Sequence, residues 1–358
     1  MSFISSVCTR YLAWANSTPL PDLSDAPPPV FQRWHAFDIE TRKWVAVQPG
    51  QLNSHDPSPI STPGPKTRTL RLMTWNVDAF GDNHESSMEG ILSKIHKIMK
   101  DGSGPDVVFF QEVSRKALGH LFQSTWVRER WVLSEADETS WADVPFATMT
   151  LISRSFFGAL SAIDEGTSES TFTSSADAGC GFCPVWRVKY PSRFKGDALC
   201  FDILWDRETR IRLVNVHLDS LPIQPNQRPR RVAIAASLLR TAGVGRGIIA
   251  GDWNPVSEED RALCEENGLV DAWERLCPGE DGFTWGLDGK GEPFPPARLD
   301  KVAVLGLKPL DIQIIHPEIL SAAISPEKEI TAGTGGEGVP WSDHSGLLCS
   351  FVIEDGTD

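Results

Sequence analysis

This chain is short of the features that mark membrane, secreted and nucleic-acid-coating proteins. No run in its 358 residues reaches the roughly 18 consecutive apolar residues of a membrane span. The stretch 1–17 has no charged region followed by an apolar one, so no secretory signal is expected. Basic charge is scarce: Lys and Arg number 34 against 48 Asp and Glu, a net charge of −14. That argues against a protein that coats nucleic acid through a broad basic face, because such binding needs cations to neutralise phosphates. It leaves open a phosphate-bearing substrate in a cleft, where a divalent cation outweighs the net charge. The seven cysteines are odd in number and form no framework, which favours a reducing compartment. Cys180 and Cys183 have CxxC spacing without a second pair to complete a zinc site, and read as loop thiols. No internal repeat is evident. The expectation is an intracellular, monomeric protein of the nucleus or cytoplasm.

A hydrophobic content of 41% is enough for a substantial core. Residues 1–67 read as a Pro/Ser-rich arm, densest in prolines and hydroxyls at 1–26 and 49–67, with a hairpin expected at 31–47. Residues 68–358 read as the main domain. There, strand-like runs (LRLMTWNV, DVVFFQEV, ATMTLIS, VWRVKY, ALCFDILWD, IRLVNVH, GIIAGDWN, KVAVLG, SGLLCSFVI) alternate with helical patterns. The helices are SSMEGILSKIHKIMK, RKALGHLFQSTWVRE, RPRRVAIAASLLRTA and SEEDRALCEENG. The mixture predicts two sheets packed face to face with helices outside. Gly333–Gly338 is glycine-rich but lacks a strand–helix frame, so it reads as a loop and no phosphate cradle.

Six polar motifs end or interrupt these apolar runs: TWNVD (74–78), Gln111-Glu112, NVHLDS (215–220), GDWN (251–254), RLDK (298–301) and Ser342-Asp343-His344. A carboxylate, amide or imidazole at the end of a buried strand is costly without a partner, so several such ends suggest one shared pocket. Glu112 suits Mg²⁺, which prefers oxygen ligands, although read alone it is better taken as a loop-capping surface glutamate. Asn76 and Asp78 lie two apart and so point to one side, unless they simply form a turn. Asp252 is positioned as a proton acceptor for water and Asn254 as an oxyanion donor, with an Asp-x-Asn turn as the bland alternative. His344 is a candidate cation near neutral pH, and Asp300 a carboxylate to keep it charged, or else a partner of Arg298 or Lys301. His217 is a second donor or an ordinary core histidine.

Taken together and in this order, the motifs resemble those of the endonuclease/exonuclease/phosphatase superfamily, the DNase I-like metal phosphoesterases. Within it they are most similar to the tyrosyl-DNA phosphodiesterase branch: TWNVD resembles TWNID, FFQEV resembles FLQEV, HLDS resembles HLES, GDWN resembles GDTN, LDK resembles FDR, and SDHSGLLC resembles SDHWGLLC. VDAWE and FTW are similar to VDVWE and YTW. The likeness runs from about Leu70 to Ile353. It implies a four-layer α/β sandwich and a phosphodiesterase using Mg²⁺, with Mn²⁺ as a substitute. It also implies as substrate a DNA end or protein–DNA adduct, foremost a 5′-phosphotyrosyl end. By the resemblance Glu112 binds the metal, with Asp78 and Asp343 shaping its shell and Asn76 beside it. Asp252 positions or deprotonates water. Asn254, His217 and His344 contact the phosphate, and Asp300 orients His344. Trp273 and Trp285 match aromatic positions near the substrate groove, or are core tryptophans.

The chain departs from that pattern in places. Val256, after Pro255, stands where the branch has an arginine two residues beyond GDTN. Leu221-Pro222-Ile223 replaces Thr-Arg-Gly, and TWNVDAF replaces TWNIDGL. Arg228, Arg230 and Arg231, at a helix start beyond HLDS, are candidate replacement phosphate contacts, or a solvated basic helix end. Two rivals follow: a related enzyme acting on another DNA, RNA or phosphorylated small-molecule or lipid substrate, and a non-catalytic interaction module.

Overall fold

The computed structural model describes residues 28–47, 67–141, 144–161, 183–205, 209–288, 294–319 and 340–354. Its strands form two mixed sheets. One runs in the order β1 (Val30–Gln32), β8 (Val185–Lys189), β9 (Asp197–Leu204), β10 (Arg210–His217), β11 (Gly247–Asp252), β13 (Asp300–Leu305), β12 (Val270–Asp271). The other runs β14 (Lys308–Ile315), β15 (Gly346–Glu354), β4 (Thr67–Asn76), β5 (Val107–Ser114), β7 (Phe146–Ser153), β6 (Trp131–Leu133), β2 (His35–Asp38), β3 (Lys43–Ala46). Each sheet has one parallel pair at its centre, β10 with β11 and β4 with β5, flanked by antiparallel neighbours.

Strand alternation explains the layers. Side chains two apart share a face. On β4, Leu70 and Leu72 enter the core between the sheets, while Met73 and Trp75 enter a second core. That second core holds Met88, Ile91, Leu92 and Ile95 of helix His84–Lys100. On β10, Ile211 and Leu213 face inward, while Val214 and Val216 pack on helix Arg228–Leu239. Three apolar cores therefore separate four layers: helix, sheet, sheet, helix. This is the DNase I-like sandwich the motifs implied.

The inner face changes character along each central strand. After the apolar residues come Thr74 and Asn76 on β4, Gln111 and Glu112 on β5, Asn215 and His217 on β10, and Asp252 on β11. Because both central pairs are parallel, all four polar ends reach one rim. The antiparallel neighbours begin at that rim, so Asp300 opens β13 and His344 lies two residues before β15.

Two helical expectations need correction. RKALGHLFQSTWVRE is two helices, Arg115–Gln123 and Thr125–Arg130. The break is at Ser124, whose extended backbone ends the first and whose hydroxyl caps the second. SEEDRALCEENG is a 3₁₀ turn, Glu258–Asp260, followed by the short helix Leu263–Glu266. The hairpin within 31–47 is β2–β3, at the edge of one sheet, whereas β1 just before it pairs with β8 in the other. This segment therefore fastens both sheets and is built into the sandwich. Cys180 and the 333–338 loop lie outside the described residues. No helix among the described residues is long and apolar enough to cross a membrane.

Candidate active site

The polar rim closes into one constellation. Glu112, His217 and Asp252 each offer an oxygen or nitrogen, all within 4.8 Å of one another. The His217 Nε2 lies 3.4 Å from Glu112 Oε1 and 3.6 Å from Asp252 Oδ2. Asn76 Nδ2 donates to Asp252 Oδ2 at 3.0 Å, and the Asn254 amide donates to Asp252 Oδ1 at 2.9 Å. His344 Nδ1 meets Asp300 Oδ2 at 2.8 Å, leaving its Nε2 3.9 Å from Asp252. Asp300 is held from behind: Thr284 Oγ1 accepts hydrogen bonds from the Leu299 and Asp300 amides, both at 3.1 Å.

Backbone irregularities aim these groups. The β5–β7 register shifts between Phe110 and Val113, a β-bulge. Phe110 and Val113 both enter the outer core, so Gln111 and Glu112 lie together on the strand between them. Glu112 takes a left-handed φ of 54°, which turns its carboxylate to accept from the Ala79 amide at 2.9 Å. Asp78 (φ 68°) and Asn254 (φ 46°) are left-handed too. Such conformations cost a non-glycine residue about 1–3 kcal/mol and persist only where surroundings enforce them. Gly251 is obligatory, because a Cβ there would lie 1.9 Å from the Val216 carbonyl oxygen, closing the gap between the parallel strands.

A buried amide bridge fixes the bulge. Gln111 Nε2 donates to Thr74 Oγ1 at 3.0 Å and to Asn215 Oδ1 at 2.8 Å. Asn215 Nδ2 donates to the carbonyls of Phe110 (3.2 Å) and Met149 (3.0 Å), the pair at the edge of the bulge. One asparagine thus ties the sheet bearing His217 and Asp252 to the strand bearing Glu112. Gln111 and Asn215 had no role assigned from sequence; a polar residue midway along IRLVNVH was the available signal.

Electrostatics separate the groups into roles. Burial, with Asp343 nearby, pushes the Glu112 carboxyl up to about 7. Burial also raises Asp252 to about 6, against the pull of His344. Asp78 is raised by burial and by Asp343. Burial lowers His217 despite Asp252, so its imidazole is neutral at neutral pH. Burial acts the same way on His344, but Asp300, Asp343 and Asp252 together outweigh it and hold its pKa well above the ordinary histidine range. One histidine is therefore neutral and the other cationic, a division of labour typical of acid–base sites.

A divalent cation fits this corner: two buried carboxylates share it at a like-charge cost, and the buried His217 Nε2 has no hydrogen-bond partner. The two carboxylates suit a hard divalent cation and the imidazole nitrogen a transition metal, so the donor set fits a divalent ion without fixing which one. The compact donor set combines Glu112 with His217 and Asp252, whereas the sequence grouped Glu112 with Asp78 and Asp343. Asp78 spends Oδ1 on the Phe80 and Gly81 amides at 2.9 and 2.8 Å, and Asp343 accepts from Trp285 Nε1 at 3.0 Å. Both shape the field around the corner.

Trp285 sits at this rim, its backbone bridged to His344. Trp273 does not: it packs in the inter-sheet core, with Nε1 donating to Glu280 O at 3.0 Å. Arg228 and Arg231 are also corrected. Both are fully buried. Arg228 Nε donates to Asp260 Oδ2 at 2.9 Å, and its Nη1 donates to the carbonyls of Asp219 (2.9 Å) and Leu221 (3.0 Å). Arg231 is paired with the Asp219 carboxylate. They clamp the loop after His217, and their burial removes them as direct phosphate contacts. Arg230, between them, is half-buried on the same helix.

No family model matches the chain, and no curated protein does. Solved structures do. A humanized D. rerio TDP2 is similar at TM-score 0.57 and 19% identity, over 79% of this chain and 98% of that one. C. elegans TDP2 is similar at TM-score 0.54 and 16% identity, over 80% of this chain and 75% of that one. An endonuclease/exonuclease/phosphatase from Bacteroides vulgatus is similar at TM-score 0.51 and 13% identity, over 80% and 100%. The chain has the endonuclease/exonuclease/phosphatase fold, and within that class its fold is similar to that of the TDP2 structures.

Proposed function

We propose that the protein is a metal-dependent phosphodiesterase acting on a DNA end, foremost a 5′-phosphotyrosyl end. The observation that carries the reading is the convergence of Glu112, His217 and Asp252, from three strands in two sheets, onto donor atoms within 4.8 Å, beside the Asp300–His344 pair. The motif order supports it, and so does the likeness to TDP2 structures, one of which (D. rerio) is a complex with a single-strand DNA product.

Glu112, Asp252 and His217 would hold the cation, with Asp78 and Asp343 adding negative potential. When bound, Mg²⁺ would supply Lewis-acid polarisation of the phosphoryl oxygen and charge relief on the leaving oxygen. Asp252, held at both oxygens by Asn76 and the Asn254 amide, aligns the attacking water and accepts its proton. The new P–O bond forms as the bond to the leaving oxygen breaks. Cationic His344, oriented by Asp300, holds the charge growing on the phosphate, and Asn254 donates alongside it. Asn254 Nδ2 donates to Leu218 O at 3.0 Å, which places its side-chain amide beside the loop after His217.

A substrate panel with Mg²⁺ or with EDTA tests the reading. It comprises 5′-tyrosyl, 3′-tyrosyl, abasic and plain DNA, an oligoribonucleotide and a phosphoinositide. The expected result is Mg²⁺-dependent release of tyrosine from the 5′-tyrosyl oligonucleotide, leaving a 5′-phosphate. Activity on the phosphoinositide alone would reject the DNA reading.

A further inference from the structure

Phe80 is 67% exposed. A single exposed phenylalanine is unremarkable. This one is not isolated. Its ring packs edge-to-face on Phe146, with centroids 5.4 Å apart and planes at 70°. The half-buried Phe146 ring lies 6.1 Å from the imidazole of His217. The two rings form a continuous apolar step from solvent to the metal-binding corner.

The step is also fixed in place. Phe80 is carried on a turn whose preceding residue, Ala79, donates its amide to Glu112 Oε2 at 2.9 Å. Asp78 Oδ1 accepts from the Phe80 and Gly81 amides, closing the turn. A Cβ on Gly81 would lie 2.6 Å from Asp78 Oδ2, so a larger residue there would push against the carboxylate that closes the turn. The anchor of this turn is thus the same carboxylate that would hold the cation, which ties the ring's position to that of the corner. Here, too, the sequence departs from the motif it resembles, with TWNVDAF in place of TWNIDGL. A larger aromatic face stands where an aliphatic one would.

We propose that Phe80 and Phe146 form a shelf for a planar aromatic ring carried next to the scissile phosphate. The inference rests on reading the corner as a phosphoester-cleaving site and adds what the substrate must present to it. Two parts of a 5′-tyrosyl DNA end offer such a ring: the phenol leaving group and the terminal nucleobase. Stacking on an exposed aromatic is tolerant of ring identity, because each has a π-face.

The test uses the full chain with Mg²⁺ and four oligonucleotides. Two carry a 5′-tyrosyl ester and two a 5′-alkyl ester, each with or without the terminal base. Phe80→Ala should raise KM roughly 5- to 100-fold for ring-bearing substrates, with kcat little changed. For the ester lacking both rings its KM should equal the wild-type value. Phe80→Trp should restore the loss. A penalty that follows the tyrosyl group places the leaving group on the shelf, and one that follows the base places the base there; either supports the proposal. Equal KM changes on all four substrates, or none, would overturn it while leaving the phosphodiesterase reading intact. Failure of the wild-type protein to cleave any of the four sinks both. The exposure of Phe80 means Phe80→Ala should fold, and an unchanged melting temperature checks this.

Discussion

Two clusters of buried charge lie a few residues apart in this protein, and they are built on opposite principles. In the clamp behind the loop after His217, Asp260 Oδ2 accepts from Arg228 Nε, the Ser257 amide and the Ser257 hydroxyl, and Oδ1 accepts from Asn226 Nδ2, all between 2.6 and 2.9 Å. Each carboxylate faces a guanidinium, Asp260 that of Arg228 and Asp219 that of Arg231, although Arg231 Nε and Nη1 have no hydrogen-bond partner. At the rim, Glu112 and Asp252 face each other across His217 with raised pKa values and an unpartnered imidazole nitrogen. The first arrangement holds a loop. The second tolerates mutual repulsion that only an added cation and an anionic substrate relieve. Saturation of charge, more than burial or residue type, separates the structural cluster from the reactive one.

Swapping one residue in each cluster breaks the comparison most sharply. Asp252→Asn should cut turnover of a 5′-tyrosyl oligonucleotide by about 10³–10⁴. Its melting temperature in EDTA should stay level or rise, since a raised carboxyl has been removed. Arg228→Met should do the reverse. It leaves Asp260 buried without its cation, at a cost of about 3–5 kcal/mol in denaturant unfolding. Activity per folded molecule should then fall only as far as the loop loosens. If both variants lose stability equally, the distinction between the clusters fails.

A smaller effect is expected inside the rim. His344 is cationic below its raised pKa and loses its charge as pH rises through that value. Asp300→Asn removes the nearest carboxylate, so the alkaline limb of the kcat/KM profile should move to lower pH. The rate at neutral pH should drop about a hundredfold. An unmoved limb would mean that Asp300 only packs.

Much of this was legible in the chain. Apolar alternation ending in Asn76, Glu112, His217 and Asp252 marked both the strands and their shared rim, because one residue in two must face a neighbouring sheet. What the sequence hid was non-local. Arg228 and Arg231 read as a basic helix start, since nothing nearby in sequence announces Asp260 and Asp219 as partners. The resemblance of VDAWE to VDVWE offered Trp273 as a groove residue or a core tryptophan, and its helix, Ala272–Leu276, turns it into the inter-sheet core. The bulge at Gln111–Glu112 depends on carbonyls capped from the other sheet by Asn215, and pattern alone does not show it. The Phe80–Phe146 contact likewise joins two distant strand ends.

The central claim is that the rim holds uncompensated negative charge which a divalent cation balances. Its most direct measurement is thermal unfolding at slightly alkaline pH, in EDTA and in millimolar Mn²⁺, for the wild-type chain and Glu112→Gln. Glu112, with its pKa raised from 4.5 to about 7, contributes stability at low pH that is lost as pH rises through that window, on the order of 3 kcal/mol without metal. Wild type should therefore start below Glu112→Gln in EDTA and rise with Mn²⁺, while the variant stays where it began. A variant that melts below wild type in EDTA, with neither protein responding to the cation, would contradict the account.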